Sequence, residues 1–278
     1  MYIIQWLIVF LHCVLTQSFS QNILKRSLRT LFYSSASPNQ SSERMILPVF
    51  PLRKTVKVPT DSIQLTLWEK RYLSLARYVL NQDHACPMFG ALYCSHKSYI
   101  SKGGDGPITP LIDIGDIGVV CCVQKRSIFK NGTEIGIEFK DDDNVDKIQL
   151  IGVAVGRFQV EKILSNGFDI DDGHLPFILV EAVRVDDQDI HIENDDDETT
   201  LEFDILESDV SKELLSDAYK WSFEVGEMNK QRKQLISFAC AAKLEDMLSA
   251  GDMLNLLYST STKSRLAKIK NYYNLKDK

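Results

Sequence analysis

QLTLWEKRYLSL, residues Gln64 to Leu75, begins as a strand and ends as a helix. In the longer run EKRYLSLARYVLNQD, residues Tyr72, Leu75, Tyr78 and Val79 recur at helical spacing, which predicts a one-sided helix. At the changeover stand an acid, a base and an aromatic: Glu69, Arg71 and Tyr72. A carboxylate at Glu69 suits the N-terminus of that helix. Arg71 is two residues on, outside the i,i+4 relation, and is expected to point elsewhere. Tyr72 shares a face with Leu75 and Val79 and is a core candidate. No nucleophile or acid accompanies Glu69 in sequence, so the cluster reads as a strand-to-helix joint rather than as chemistry.

Short β-rich pieces lie on both sides of this joint. ILPVFPLRKTVKVPTDSIQLTLW, from Ile46, is cut by Pro48, Pro51 and Pro59, which suits edge strands. MFGALYCS follows the helix. IGDIGVVCCVQKRSIF and KNGTEIGIEF are joined through Asn131-Gly132, a strong hairpin signal. KIQLIGVAVGRFQVEKIL alternates as a long half-buried strand, and LPFILVEAVRV, opened by Pro176, is another. Strands therefore dominate from 46 to 185 around one early helix, which predicts a partly closed β-barrel or curled sheet rather than a parallel βαβ array. Acidic loops (DDDNVD, DIDDG) interrupt it, and VDDQDIHIENDDDETTLEFD reads as a flexible linker. From about Ser208 the pattern turns helical, with Ser208 or Ser211 as cap. Leu235, Phe238, Ala242 and Leu244 fall near helical spacing, and two more helices are broken at STST. The fold class is α+β.

The chain has 278 residues, 44% hydrophobic and 25% charged, ordinary for a globular protein. Its net charge is -6, which argues against nucleic acid or an anionic membrane as the main partner. YIIQWLIVFLHCVL, Tyr2 to Leu15, is too short to cross a bilayer comfortably and suits a signal-peptide core, although no Lys or Arg precedes it. An uncleaved anchor and a mis-called start codon are the alternatives. The next stretch is Ser-rich and basic (Lys25, Arg26, Arg29, Arg44) with Glu43 as its only acid, as in transit peptides. A solvated linker is the bland reading. A secretory signal followed by a transit-like segment resembles the two-part leader of proteins sent to plastids of secondary origin; the secretory pathway and the mitochondrion are the alternatives. Taking four bases and one acid from the totals of 32 and 38 leaves 28 and 37 in residues 45–278, a net charge of -9. The organisation expected is a signal-like segment 1–20, a transit-like or linker segment 21–44, a β domain with acidic loops 45–206 and a helical subdomain 207–278.

The six cysteines are Cys13, Cys86, Cys94, Cys121, Cys122 and Cys240. Without Cys13 the count is odd, which argues against a disulfide-stapled secreted fold. Cys121 and Cys122 face opposite sides of a strand and read as small hydrophobes. His84, Cys86, Cys94 and His96 are spaced H-x-C-x7-C-x-H, wider than the pairs of structural zinc sites, and read as core cysteines and surface histidines. Asp169, Asp171 and Asp172 fail the calcium-loop pattern, because Gly173 and Glu181 are out of position and no helices flank the loop. The Ser-Lys pairs of SKGG and KSRL are adjacent in sequence, which says nothing about a dyad. No phosphate loop, GxGxxG, GxSxG or HExxH is present.

In order along the chain, these pieces resemble the N-terminal, substrate-binding domain of the Lon (protease La) family. LPVFPLRKTVKVP, with Phe50, Pro51 and Leu52, is similar to that family's opening. LTLWEKRYLSL, with Glu69, Arg71 and Tyr72, resembles its Phe-Glu-x-Arg-Tyr segment, with Trp68 in place of Phe and Lys70 where Pro is common. Gly90 of MFG, Gly118 of DIGVVCCV, and Gly156, Arg157 and Phe158 of VGRFQVEKI match later strands. PFILVEAVRVDD, LISFACAAKL and LLYSTSTKSRL, with Arg265-Leu266, resemble the rest. The resemblance spans roughly 46–275. The departures are the acidic inserts around 141–146 and 186–204 and the segment 101–113, all in loops.

The resemblance implies a PUA-like β-barrel holding one internal helix, followed by a C-terminal helical bundle. It implies a non-catalytic protein-recognition module that binds client proteins or a protease partner, with no cofactor or metal, no nucleic acid, and no membrane in the mature form. Full-length Lon proteases add ATPase and Ser-Lys protease modules. Without a phosphate loop this chain is expected to be a stand-alone Lon-domain protein that neither hydrolyses ATP nor cuts peptide bonds. A PUA-like RNA-binding protein is the alternative. An enzyme using Glu69, or a metal held by His84, Cys86, Cys94 and His96, is a third reading. Neither client identity nor oligomeric state is legible.

Overall fold

The computed structural model describes residues 44–53, 55–82, 87–94, 99–100, 109–110, 112–136, 145–167, 175–188 and 225–276. The two leader segments except Arg44, the loop holding His84 and Cys86, His96, Ser101 and Lys102, Asp169 to Gly173 and the caps at Ser208 and Ser211 lie outside them.

Nine strands and four helices make a sheet-rich α+β fold among these residues. The strands are β1 (Arg44–Leu52), β2 (Ser62–Leu67), β3 (Met88–Tyr93), β4 (Tyr99–Ile100), β5 (Thr109–Pro110), β6 (Ile117–Lys130), β7 (Thr133–Gly136), β8 (Lys147–Asn166) and β9 (Ile178–Val185). The helices are α1 (Lys70–Leu80), α2 (Val225–Ala242), α3 (Ala250–Tyr258) and α4 (Thr262–Lys276). Seven strands form one sheet in the order β2-β8-β9-β1-β3-β6-β7, and β8 also pairs with β6. The pairings thus run from β8 through β9, β1, β3 and β6 back to β8. β4 and β5 pair with each other.

β6 shows why the central run IGVVCCV is apolar throughout. Val119, Cys121 and Val123 join one buried cluster, which also takes in α1 and α2–α4. Val120 and Cys122 join a second cluster on the other face. Both faces are covered, so the period-2 pattern fills in at both phases. The hairpin after β6 is as expected: Asn131 (φ 50) and Gly132 (φ 76) are both left-handed, and Lys130 pairs with Thr133. β8 changes faces along its length. Ile148, Leu150 and Ala154 pack in the first cluster, Phe158 and Val160 in the second. Between them Val120 pairs with Gly156 and Cys121 with Ala154, which leaves Val155 as the extra residue of a bulge.

Three expectations are corrected. β1 is not an edge strand: Arg44–Val49 pairs with β9 and Val49–Leu52 with β3. Pro48 and Pro51 are tolerated because each lies in a section paired on one side only, so a missing N–H can face the open side. Cys122 is not merely a small hydrophobe. It is disulfide-bonded, whereas Cys94 and Cys121 are free and buried. An odd cysteine count excludes complete pairing but not a single bridge. Finally, Tyr72 is half-buried at the border of the core, whose helical share is Leu73, Leu75, Ala76, Val79 and Leu80.

Candidate functional site

β2 alternates strictly, with Ile63, Leu65 and Leu67 inward and Ser62, Gln64 and Thr66 outward. Trp68 continues the outward phase and stands 68% exposed, the largest apolar side chain offered to solvent among the described residues. Behind it the ends of β1 and β2 and the start of α1 enclose a groove of about 210 Å3, lined by Phe50, Pro51, Leu52, Arg53, Thr66, Trp68, Glu69 and Tyr72. The Phe50 and Tyr72 rings lie 4.7 Å apart, tilted by 51°. The Arg71 guanidinium stacks on the other aromatic partner, 4.6 Å from the Tyr72 centroid.

Arg71 does not point away from Glu69. Its Nε donates to Glu69 Oε2 at 2.9 Å, and its Nη2 lies 2.8 Å from the same oxygen. The cause is the backbone of Glu69. It is the N-cap, extended at φ -73 and ψ 138, so its side chain leaves the helix and i,i+2 becomes a contact. Its carbonyl accepts from Tyr72 N and Leu73 N, both at 2.9 Å, while its carboxylate caps nothing. The joint is therefore held by its main chain, and the carboxylate serves to fix Arg71 over Tyr72.

Five of the eleven residues that carry the sequence resemblance line this groove: Phe50, Pro51, Leu52, Glu69 and Tyr72. Arg71 borders it, on Glu69 and Tyr72, and the other five lie elsewhere. Gly90, Gly118 and Phe158 are one packing unit. A Cβ on Gly118 would lie 2.6 Å from Ala91 O and 2.8 Å from the Phe158 ring, and one on Gly90 would lie 2.8 Å from that ring. Gly156 stands beside the β8 bulge, where a Cβ would meet nothing within 4 Å.

Arg157 belongs to a buried ion network 0% exposed at each charged side chain. Its Nη2 donates to Asp187 Oδ1 at 2.6 Å, and its Nη1 to Leu257 O at 2.8 Å and Ser259 O at 2.7 Å. Arg265 binds Asp187 Oδ2 from the other side and donates to Ser237 Oγ and Ser259 O, both at 2.8 Å. Thr262 Oγ1 also donates to Asp187, and Asp187 N donates to Gln234 Oε1 at 3.1 Å. Phe238 lies beside both guanidiniums, 3.7 Å from Arg265 and 5.0 Å from Arg157. Burial pulls the Arg157 pKa down, and Asp187 opposes the pull. This junction ties β8 and the end of β9 to α2, α3 and α4.

Among the described residues no group of three or more His, Cys, Asp or Glu side chains is placed to hold a metal ion. Cys94 is buried, and burial pushes its thiol up to about 12. No described helix is long and apolar enough to cross a membrane. The groove is smaller than the roughly 300–1,000 Å3 of small-molecule sites. It has room for a side chain.

No protein-family model and no curated protein matches the chain. Among solved structures it is similar to the Lon N-terminal domain protein from Xanthomonas campestris, at 20% identity and a TM-score of 0.47, over 82% of this chain and 98% of that one. It is also similar to the N-terminal domain of Mycobacterium avium complex Lon protease, at 13% identity and a TM-score of 0.44, over 82% and 97%. Its structural neighbours are Lon N-terminal domain proteins.

Beyond the residues singled out within the resembling stretches, the groove adds Arg53, Thr66 and Trp68. Trp68 carried a usable signal, since β2's alternation extended by one step turns it outward. Asp187 and Arg265 stood within recognised segments, but nothing local linked residues 78 apart.

Proposed function

We propose that the chain is a non-catalytic protein-recognition module, in which the groove between β1, β2 and α1 receives apolar side chains of client proteins or of a protease partner. The observation that carries this is Trp68, exposed at the mouth of a side-chain-sized cavity whose other walls include Phe50, Pro51, Leu52 and Tyr72. A large aromatic in water beside a part-apolar recess marks interaction sites and is enriched among binding hot spots. The RNA-binding alternative is disfavoured by the net charge of -6.

Within this proposal the circuit of strand pairings is read as a PUA-like barrel around α1, and α2–α4 as a helical bundle. The partition is a β domain over 45–206 and a helical subdomain over 207–278, with a leader that addresses the chain to a plastid of secondary origin. The test is a titration of the chain with a permanently unfolded protein, reduced and carboxymethylated α-lactalbumin, followed by tryptophan fluorescence. Saturable binding in the micromolar range is expected. A flat titration up to 100 µM, a range set at about 5 kcal/mol of binding free energy, would reject the proposal.

A further inference from the structure

Among the described strands the seven-stranded order ends at β2 on one side and at β7 on the other. An end strand presents unpaired N–H and C=O groups, and folds usually blunt it by shortness, charge, proline or a bulge. β7 is blunted in this way. It has 4 residues, carries Glu134, ends at Gly136 (φ 125) and pairs across a register shift at Ile128/Phe129. β2 shows none of these devices. Its 6 residues, SIQLTL, contain neither charge nor proline, and they pair with β8 from Ser62 to Leu67 without a register shift. Asp61 O accepts from Ala154 N at 2.9 Å, so alternation turns the main-chain groups of Ile63, Leu65 and Leu67 toward β8. Those of Ser62, Gln64 and Thr66 turn away from it, and all three residues are exposed. This edge runs directly into the recess, because Thr66 and Trp68 belong to its lining.

We infer that β2 receives an extended polypeptide segment as an added strand, with one apolar side chain of that segment in the recess beside Trp68. This rests on the recognition reading above and names the form in which the occupant is bound. Main-chain bonds to Gln64 and Thr66 supply affinity for any extended sequence, and the recess chooses the side chain. Alternate side chains of an added strand lie on the face that carries Thr66 and Trp68, and the one level with them stands at the recess. A helical segment is a poorer occupant, because its own main-chain groups are already bonded within the helix. An unfolded chain meets the requirement, since its main chain is free to extend.

The test uses the full chain and three fluorescently labelled ten-residue peptides with the same side chains around a central Phe-Leu. One is unmodified, and the others are N-methylated at odd or at even positions, which blocks one edge or the other of the extended peptide. Anisotropy is expected to show one methylated peptide weakened by about tenfold or more, through its lost main-chain bonds, and the other bound like the unmodified one. Gln64→Pro removes an outward N–H of β2 and leaves the ladder to β8 in place. It is expected to weaken the unmodified peptide severalfold and to leave the already weakened one unchanged. Equal affinity for the three peptides, or equal loss from both methylation patterns, overturns strand addition; unfolded α-lactalbumin still binding would leave the recognition reading standing. Binding of no peptide, with the unfolded protein also ignored, removes both. A dimer of the native chain in sedimentation that Gln64→Pro disperses would assign the edge to a second copy and overturn the peptide assignment.

Discussion

The groove and the buried junction are built from the same materials and put to opposite uses. At the groove, Arg71 pairs with the carboxylate of Glu69 and stacks on Tyr72, with Arg71 and Glu69 side chains 21% and 35% exposed. At the junction, Arg157 and Arg265 share the carboxylate of Asp187 and flank Phe238, and all three charged side chains are 0% exposed. In water such a pair contributes roughly 0–1 kcal/mol and can be rearranged for little. Buried, each charge has lost its hydration, and removing one partner leaves the others stranded. Among the described residues Arg157 and Arg265 share the one carboxylate of Asp187, and Arg157 Nε makes no hydrogen bond. The surface version is therefore suited to recognition, where partners exchange. The buried version is suited to fixing β8 and β9 against the C-terminal helices.

The largest effect should follow from Asp187→Ala, which removes the buried carboxylate that Arg157 and Arg265 share. A loss of about 3–5 kcal/mol in chemical denaturation is expected. Replacing Asp187, Arg157 and Arg265 together by apolar residues of similar size should recover most of it. A loss below about 1 kcal/mol for the single variant would put the junction in the same class as the groove pair and dissolve the contrast.

A third charge group lies between the extremes. Lys57 Nζ is 3.0 Å from Glu245 Oε1 and 3.9 Å from Asp61 Oδ2, with side chains 18%, 34% and 8% exposed. Burial raises the Asp61 carboxyl from 3.8 to about 6, against the opposing pull of Val58 N–H and Lys57. A raised folded pKa means that the stability contribution is complete below about pH 4 and is lost as pH rises through 6. The difference is at most about 3 kcal/mol. Asp61→Asn keeps an acceptor for Val58 N, at 3.0 Å in the native chain. It should raise the melting temperature at pH 7 and flatten its decline between pH 4 and 6. An unchanged pH profile would show that Asp61 remains solvated enough to titrate normally.

Tyr72→Ala comes next. Because Tyr72 is half-buried, the expected loss is about 1–2 kcal/mol, less than the 3–5 of a fully buried aromatic. A loss of 4 kcal/mol would return the residue to the core and make the groove a structural seam.

How much of this was legible in the sequence depends on the range of the interactions. The β6–β7 hairpin is written in Asn131-Gly132, because only a left-handed pair closes a two-residue turn of this hand. The break between α3 and α4 is written in STST, and the two faces of β6 in the apolar run itself. Helical spacing does not give the Glu69–Arg71 contact, because the backbone of Glu69 is still extended. The prolines of β1 suggested an edge because sequence does not say that a strand can be paired on alternate sides in its two halves. The groove was half legible: Phe50, Pro51, Leu52, Glu69 and Tyr72 were singled out as a motif, but their convergence on one recess depends on how β1, β2 and α1 meet. The junction was not legible, since Arg157, Asp187 and Arg265 come from three distant segments and their identity as one ion network exists only after folding.

The smallest expected effect on stability belongs to Trp68→Ala, and it tests the central claim most directly. Binding of unfolded α-lactalbumin and the melting temperature should be measured on the same preparation, with binding followed by calorimetry since the variant removes a fluorophore. If the groove is the recognition site, affinity falls about tenfold or more, as for an interface tryptophan, while the melting temperature stays within about 2 °C of the native chain. Unchanged affinity, or a fall in binding that merely follows a fall in melting temperature, would contradict the account.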